Sequence, residues 1–338
     1  MREIMFSLAF VVAVSAVFEV EPVRAQDIIG FVQRGDSLLA QRLPEDALLE
    51  YEKALAAGAG SALFLNRLAG LYMQVRAYDK AATSLQQSLA EDPKQLPVYS
   101  VLGEAFLASG KIDSAIFYVE QARILSPASS SIYSSLAFLY MQKGQSERAR
   151  EQLDRSLALN EKNPEAHRLY GFYYSQQDSA DKAIESYLTM SELLPDEVEA
   201  FNNIAFLHAN AQRYQQALKY YSLAKERARE PFVIQAIVTN IEAVEALIAG
   251  KMRARYILVE RKAAAQEVVE SLAGGADFFE LAEKISIAPN AQEGGDLGFF
   301  APGDLNADFE EAVMQLEVGE SSGIVEVPQG FIILQRLN

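Results

Sequence analysis

Small and large apolar residues recur along the first two-thirds of the chain at a constant interval of 34 residues, which is the signature of a stacked helical repeat. Gly35, Ala69, Gly103, Ala137, Gly171 and Ala205 share one phase, and Ala47, Ala81, Ala115, Ala149, Ala183 and Ala217 share a second. A third phase holds Leu38, Tyr72, Phe106, Tyr140, Tyr174 and His208, large in every copy. Small residues at fixed points let two helices approach closely, and large ones fill the space between hairpins. Pro93, Pro127 and Pro195 stand at one point of three periods, where a helix must stop. The pattern predicts six helical hairpins over residues 26–231. Phe232 to Ala249, apolar at helical spacing through Ile234, Ile237, Ile241, Val244 and Leu247, predicts a closing helix, with Gly250 ending it.

From Ala254 onward the period changes. Tyr256 to Val259 is apolar and β-branched, as strands are; Lys262 to Leu272 reads as a helix ended by Gly274-Gly275. Asp277 is placed to cap a second helix running to about Ser286, and Ala307 to Leu316 predicts a third. Gly323–Val327 and Phe331–Leu337, joined by Pro328-Gln329-Gly330, predict a hairpin. A short strand is expected at Leu297 to Phe300.

The repeat phases resemble the tetratricopeptide repeat. The motif Glu293-Gly294-Gly295-Asp296-Leu297-Gly298-Phe299-Phe300, with Ala254-Arg255-Tyr256-Ile257-Leu258-Val259 before it and Gly330-Phe331-Ile332-Ile333-Leu334 after it, resembles the parvulin-type peptidyl-prolyl cis-trans isomerase domain. The fold class implied is multidomain: an all-α tetratricopeptide-repeat solenoid followed by a small α+β parvulin-like domain. The division expected is a signal peptide over 1–25, six repeats over 26–231, a capping helix over 232–250 and the parvulin-like domain over 251–338.

The parvulin resemblance implies a prolyl peptide held in an apolar pocket on the sheet, with Leu297, Leu305 and Phe309 at the proline-holding positions. Core packing alone would also select Leu and Phe at these places. The polar set of the family is replaced. Tyr256 stands where the first strand usually carries a His, Ile332 stands where the last strand carries another, and the segment ahead of the Gly-Gly motif offers Ser286 as its polar residue. The two histidines of the chain, His167 and His208, both fall in the repeats. Two expectations follow: a weak isomerase in which Tyr256 and Ser286 partly replace the lost groups, or a peptide-binding module without turnover. Neither needs a cofactor or a metal, because gripping a twisted amide better than a planar one is sufficient.

The tetratricopeptide resemblance implies a binding groove lined by the first helix of each hairpin. There Phe138, Phe172 and Phe206 share one position, and Met73, Leu107 and Met141 another. Exposed aromatic and Met side chains make an adaptable surface for extended apolar segments, with Asn66 and Asn202 placed to hydrogen-bond a peptide backbone. Packing against adjacent helices would account for the same residues.

Composition narrows the function further. A net charge of −16 excludes nucleic acid, which needs a clustered cationic face. The absence of Cys removes disulfides, thiolate metal sites and Cys nucleophiles. Arg2, the apolar run from Ile4 to Phe18, and Val23-Arg24-Ala25 read as a cleavable signal peptide, placing the protein in the periplasm or outside the cell, or on the membrane if the segment stays uncut. No other run reads as long and apolar enough to cross a bilayer, so no span is expected after cleavage. The combined expectation is an exported folding factor that binds prolyl segments of unfolded or exported polypeptides. The competing expectation is a non-catalytic scaffold for an envelope or exopolysaccharide export assembly, with one assembly protein as partner.

Overall fold

The computed structural model describes residues 25–338, so residues 1–24 of the expected signal segment lie outside the described residues. The chain divides into two compact units between Leu159 and Asn160.

The first unit contains four helical hairpins: α1 (Ala25–Ala40) with α2 (Pro44–Ala56), α3 (Ala62–Gln74) with α4 (Tyr78–Glu91), α5 (Leu96–Ala108) with α6 (Ile112–Leu125), and α7 (Ser130–Gln142) with α8 (Ser146–Leu159). The constant spacing of small residues explains how they close. Ala47, Ala81, Ala115 and Ala149 have no exposed surface, because the partner helix crosses directly over them. At Gly35 a Cβ would lie 2.3 Å from the Tyr51 ring, so the large residue of the second helix occupies the volume the first leaves empty. The Tyr51 hydroxyl donates to Asp36, which Arg67 also reaches at 3.2 Å. Burial, with Asp36 beside it, pushes the Tyr51 pKa up to about 12.

The second unit begins with two more hairpins, α9 (Pro164–Ser175) with α10 (Ala180–Leu193) and α11 (Val198–Asn210) with α12 (Tyr214–Arg227), followed by α13 (Pro231–Ile248). The same rule operates: a Cβ at Gly171 would lie 2.5 Å from the Tyr187 ring. Ile237 and Val244 of α13 are buried in a cluster with Phe201, Ala205, Tyr221 and Ala224 of the last hairpin. The expectation that no further run could cross a bilayer is corrected here. By length and composition α13 meets that test, with 18 residues, a mean hydropathy of 1.5 and 17% of its window buried. Its only charges, Glu242 and Glu245, are too few to lower that mean below a spanning value. The helix nevertheless packs one side on α12.

His208 lies in the aromatic phase of the last hairpin, buried and stacked on Tyr220 with ring centroids 5.5 Å apart. Its Nδ1 is buried without a partner among the described residues. Burial, and then the Arg213 charge, lower its pKa below the ordinary value of 6.5, while Asp181 acts in the opposite sense. The neutral ring is therefore favoured in the fold. As pH falls through about 6.5 the unfolded chain takes up a proton that the folded chain resists, so stability drops on the acid side. We expect acid unfolding followed at several pH values to show this loss in α11–α12, and His208→Phe to flatten it; an unchanged acid limb in that variant would contradict the assignment.

After Gly250 the chain forms an α+β domain: β1 (Met252–Val259), α14 (Lys262–Ala273), α15 (Phe278–Ile285), β2 (Asp296–Phe300), α16 (Ala307–Met314), β3 (Val325–Val327) and β4 (Gly330–Arg336). The expected order of elements is the order found. The four strands run antiparallel in the order β2-β1-β4-β3. Alternation along the strands splits the core by face. Ile257, Val259 and Ile333 join Ala265, Val268, Phe278 and Ala282 under α14 and α15. Ala254, Leu258, Ile332 and Leu334 face the other way, with Phe300 and Val313, toward Tyr256, Leu297, Leu305 and Phe309.

Candidate functional site

On that second face the domain opens a cleft of about 480 Å3 whose lining includes Tyr256, Leu258, Pro289, Leu297, Leu305, Phe309, Val325, Val327 and Ile332. Five of the six residues singled out in this domain therefore meet in one place. Each arrives by a separate local device.

Leu297 is positioned by the glycine motif. Gly295 has φ +77, and a Cβ there would lie 2.0 Å from the Tyr256 carbonyl oxygen, so only glycine lets β2 approach β1 at this point. The Tyr256 N–H donates to the Gly295 carbonyl at 3.0 Å. Asp296 then accepts from the Gly298 N–H at 2.9 Å and pairs with Arg253. Burial works against its ionised form, but Arg253 and the Gly298 amide outweigh it and hold the carboxyl below its ordinary range.

Leu305 and Phe309 are set by Glu310 and Asn306. The buried Glu310 carboxylate accepts from the Gly303 N–H at 2.9 Å and from the Leu305 N–H at 2.9 Å, which folds residues 303–305 back over the start of α16. Asn306 caps that helix by accepting from Asp308 N–H at 2.9 Å. Phe309, on the first turn, meets the Tyr256 ring edge to face, with centroids 5.5 Å apart at 79°.

Tyr256 and Ile332 bring different chemistry. Burial raises the Tyr256 pKa above its ordinary value, so its hydroxyl stays protonated as a donor through the neutral range. That hydroxyl has no hydrogen-bond partner among the described residues. Ile332, 1% exposed, contributes only apolar surface to the floor.

Ser286 is not brought to the cleft. Strand β2 pairs only with the first half of β1, and from Leu258 onward residues 286–288 run beside β1 in its place. The Ser286 hydroxyl accepts from the Leu258 N–H at 3.1 Å and the Ala288 N–H at 3.2 Å, while the Ile287 N–H donates to the Leu258 carbonyl at 2.8 Å. Its oxygen is thereby occupied in joining this segment to the sheet. Leu258, Pro289, Val325 and Val327 escaped the sequence reading. The period-2 alternation that puts Tyr256 and Leu258 on one face of β1, and Val325 and Val327 on the same face of β3, was the signal available.

In the repeats, Phe172 on α9 and Phe206 on α11 are exposed, at 44% and 55%. Phe138 on α7 is half-buried, as are Asn202 and the Met73, Leu107 and Met141 set. The Asn66 amide nitrogen, on α3, donates to Gln95 at 2.7 Å. Among the described residues no group of His, Cys, Asp and Glu is arranged to hold a metal.

Comparison with known proteins places these features. Residues 255–338 match the model of the rotamase family, the PPIC-type PPIase domain. Residues 32–95 match a tetratricopeptide repeat model, and 73–200 the tetratricopeptide domain of cytochrome c-type biogenesis protein H. The foldase protein PrsA of Halalkalibacterium halodurans is 44% identical over 85 residues, 25% of this chain and 26% of its own length. The foldase protein PrsA of Oceanobacillus iheyensis is 32% identical over 151 residues, 44% of this chain and 49% of its own. The chaperone SurA of Thiobacillus denitrificans is 42% identical over 79 residues, 23% of this chain and 18% of its own. The chain thus spans half or less of the curated relatives it matches. Among solved structures, a tetratricopeptide repeat protein from Parabacteroides merdae superposes with a TM-score of 0.54 at 13% identity, covering 66% of this chain and 90% of that one. Yeast Tom70 does so at 0.52 and 15%, covering 60% and 44%. At these identities the likeness is one of fold.

Proposed function

The chain carries tetratricopeptide repeats followed by a PPIC-type peptidyl-prolyl isomerase domain, and on that premise we propose that it is an exported folding factor whose C-terminal cleft receives prolyl segments of unfolded polypeptides. The observation that carries the reading is the convergence of Tyr256, Leu297, Leu305, Phe309 and Ile332 on one apolar cleft. Similarity to PrsA foldases and SurA chaperones supports it, and the N-terminal run from Ile4 to Phe18 supports export. The exposed Phe172 and Phe206 would offer a second, client-recruiting surface.

Turnover in such a site requires no bond to be made or broken. The planar prolyl amide is held by resonance behind a barrier of about 18–20 kcal/mol, and rotation passes through a twisted amide in which that resonance is lost. An apolar pocket that grips the pyrrolidine ring and withholds water from the amide favours the less polar twisted form. The Tyr256 hydroxyl, a neutral donor without a partner of its own, is placed to hold the peptide carbonyl as it rotates. Only a preference for the twisted over the planar form accelerates the reaction.

A second reading, binding without turnover, is favoured by one observation: Ile332 presents a hydrocarbon floor where the family usually places a polar ring. Exchange spectroscopy of a prolyl tetrapeptide with the full chain separates the two. We expect accelerated cis–trans exchange, lowered about tenfold in Tyr256→Phe if that single hydrogen bond forms in the transition state. Saturable binding with an unchanged exchange rate would overturn the isomerase reading and leave the binding module.

A further inference from the structure

The cleft extends beyond the side chains at the proline-holding positions. Leu297 lies on β2 beside the first half of β1, and Phe309 meets the Tyr256 ring, so these gather at one end. Leu258 shares the cleft face of β1 with Tyr256, two residues and about 7 Å further along. From there the apolar floor continues. The register sets Leu258 opposite Ile332 of β4, and Ile332 opposite Val325 of β3, so one row of aliphatic side chains crosses three strands. Residues 286–288 run beside β1 at Leu258, which brings the exposed Pro289 to one flank of the row. Val327 and the exposed Pro328, at the turn between β3 and β4, stand at the other.

This second end is apolar and uncharged. The charged residues bordering the cleft are Asp308 and Glu326. Asp308 sits on the first turn of α16 beside Phe309, at the proline end. Glu326 pairs with Phe331, which packs under α14 and α15 with Ile257 and Val259, so its side chain faces away from the cleft. Ile332 makes the row continuous with the proline end, where a polar ring at that position would interrupt it. Val325 and Val327 remain half-buried, and Pro289 and Pro328 exposed, above a floor of buried Leu258 and Ile332. The domain leaves this apolar surface uncovered.

We propose that the row from Leu258 to Val325 is a second subsite, continuous with the proline pocket, that takes a large apolar side chain adjacent to the proline. The inference rests on the reading of the cleft as a prolyl-peptide site and adds the class of neighbour that its substrates carry. Prolyl segments with Leu, Ile, Met or Phe beside the proline fill both ends. Those with Ala leave the second end wet, and those with Glu or Asp set a charge against hydrocarbon. The selection is made by apolar area removed from water, so it does not weaken with salt as a charge preference does.

The test uses the full chain with the tetrapeptides Ala-Leu-Pro-Ala, Ala-Ala-Pro-Leu, Ala-Ala-Pro-Ala and Ala-Glu-Pro-Ala, with affinities measured at low and high ionic strength. The tighter of the two leucyl peptides is expected to bind about three- to tenfold more tightly than the alanyl peptide, as burial of about half a leucyl side chain predicts. That ratio should hold near half-molar salt, and the glutamyl peptide should bind more weakly than the alanyl one at both. V327S and P289S, each of which strips one flank of the row, should lower the leucyl-to-alanyl ratio toward one. A leucyl advantage absent from both leucyl peptides, or one that survives both variants, would overturn the second subsite while leaving the prolyl site standing. Failure of all four peptides to bind would overturn the prolyl site itself, and this inference with it.

Discussion

Gly295→Ala is expected to unfold the C-terminal sheet, whereas Gly298→Ala, three residues further along the same motif, leaves it folded. Both glycines have positive φ, +77 and +69, and a left-handed conformation costs a residue with a Cβ about 1–2 kcal/mol. They differ in what surrounds them. At Gly298 an added Cβ meets nothing within 4 Å, while at Gly295 it would lie 2.0 Å from the Tyr256 carbonyl oxygen and 3.0 Å from its carbon. That neighbour is backbone in a central strand and cannot rotate away. Accommodating the methyl requires β2 to leave β1, with loss of the Tyr256–Gly295 hydrogen bond. A cost of about 4 kcal/mol or more follows, against about 1 kcal/mol for Gly298→Ala. Hydrogen exchange of β1 and β4 in the full chain reads the result: protection lost in the first variant and kept in the second. Equal protection in both would contradict the close approach of the strands.

Glu310→Ala is expected to leave the sheet folded and disable the cleft. The carboxylate is buried and holds two backbone N–H groups, those of Gly303 and Leu305. Its loss removes the acceptor of both donors, at about 1 kcal/mol each because Gly303 is exposed and Leu305 only partly buried, and frees the loop that carries Leu305 to the cleft edge. We expect a fall of about tenfold or more in prolyl-peptide affinity, with exchange protection in β1 and β4 largely retained. Glu310→Gln keeps one acceptor oxygen and should fall between the two. Unchanged affinity in Glu310→Ala would mean that Leu305 is held by packing alone.

The repeats were readable because the chain writes the same packing problem six times. Ala47 and its five counterparts are each crossed by a neighbouring helix, so a single substitution rule appears at one interval, and Gly35, Gly103 and Gly171 stand where Tyr51, Val119 and Tyr187 of the partner helix fill the volume a Cβ would need. The C-terminal fold was readable for a different reason: Gly295 and Gly330 mark positions where a side chain would strike the backbone of β1, and Gly294 one where it would strike the Phe279 ring.

What remained hidden depends on contacts distant in sequence. Ser286 looked like the remaining polar group of a site, yet the sheet uses its hydroxyl to join residues 286–288 to β1, a need that arises only because β2 stops pairing halfway along. Glu310 attracted no notice, since its role depends on a loop that folds back onto the same helix. The bond from the Asn66 amide to Gln95, just ahead of α5, likewise joins residues far apart in sequence. The apolar character of α13 was underrated because its two glutamates look more polar in a list than they do averaged over five turns.

The most direct measurement of the central claim is a titration of the full chain with a prolyl tetrapeptide and with its proline-to-alanine counterpart, followed by methyl and aromatic NMR. A cleft that receives prolyl segments predicts shifts confined to Tyr256, Leu297, Leu305, Phe309 and Ile332, present with the prolyl peptide, much weaker with the alanyl one, and lost in Phe309→Ala. Equal shifts with both peptides, or shifts that leave these five residues unmoved, would contradict it.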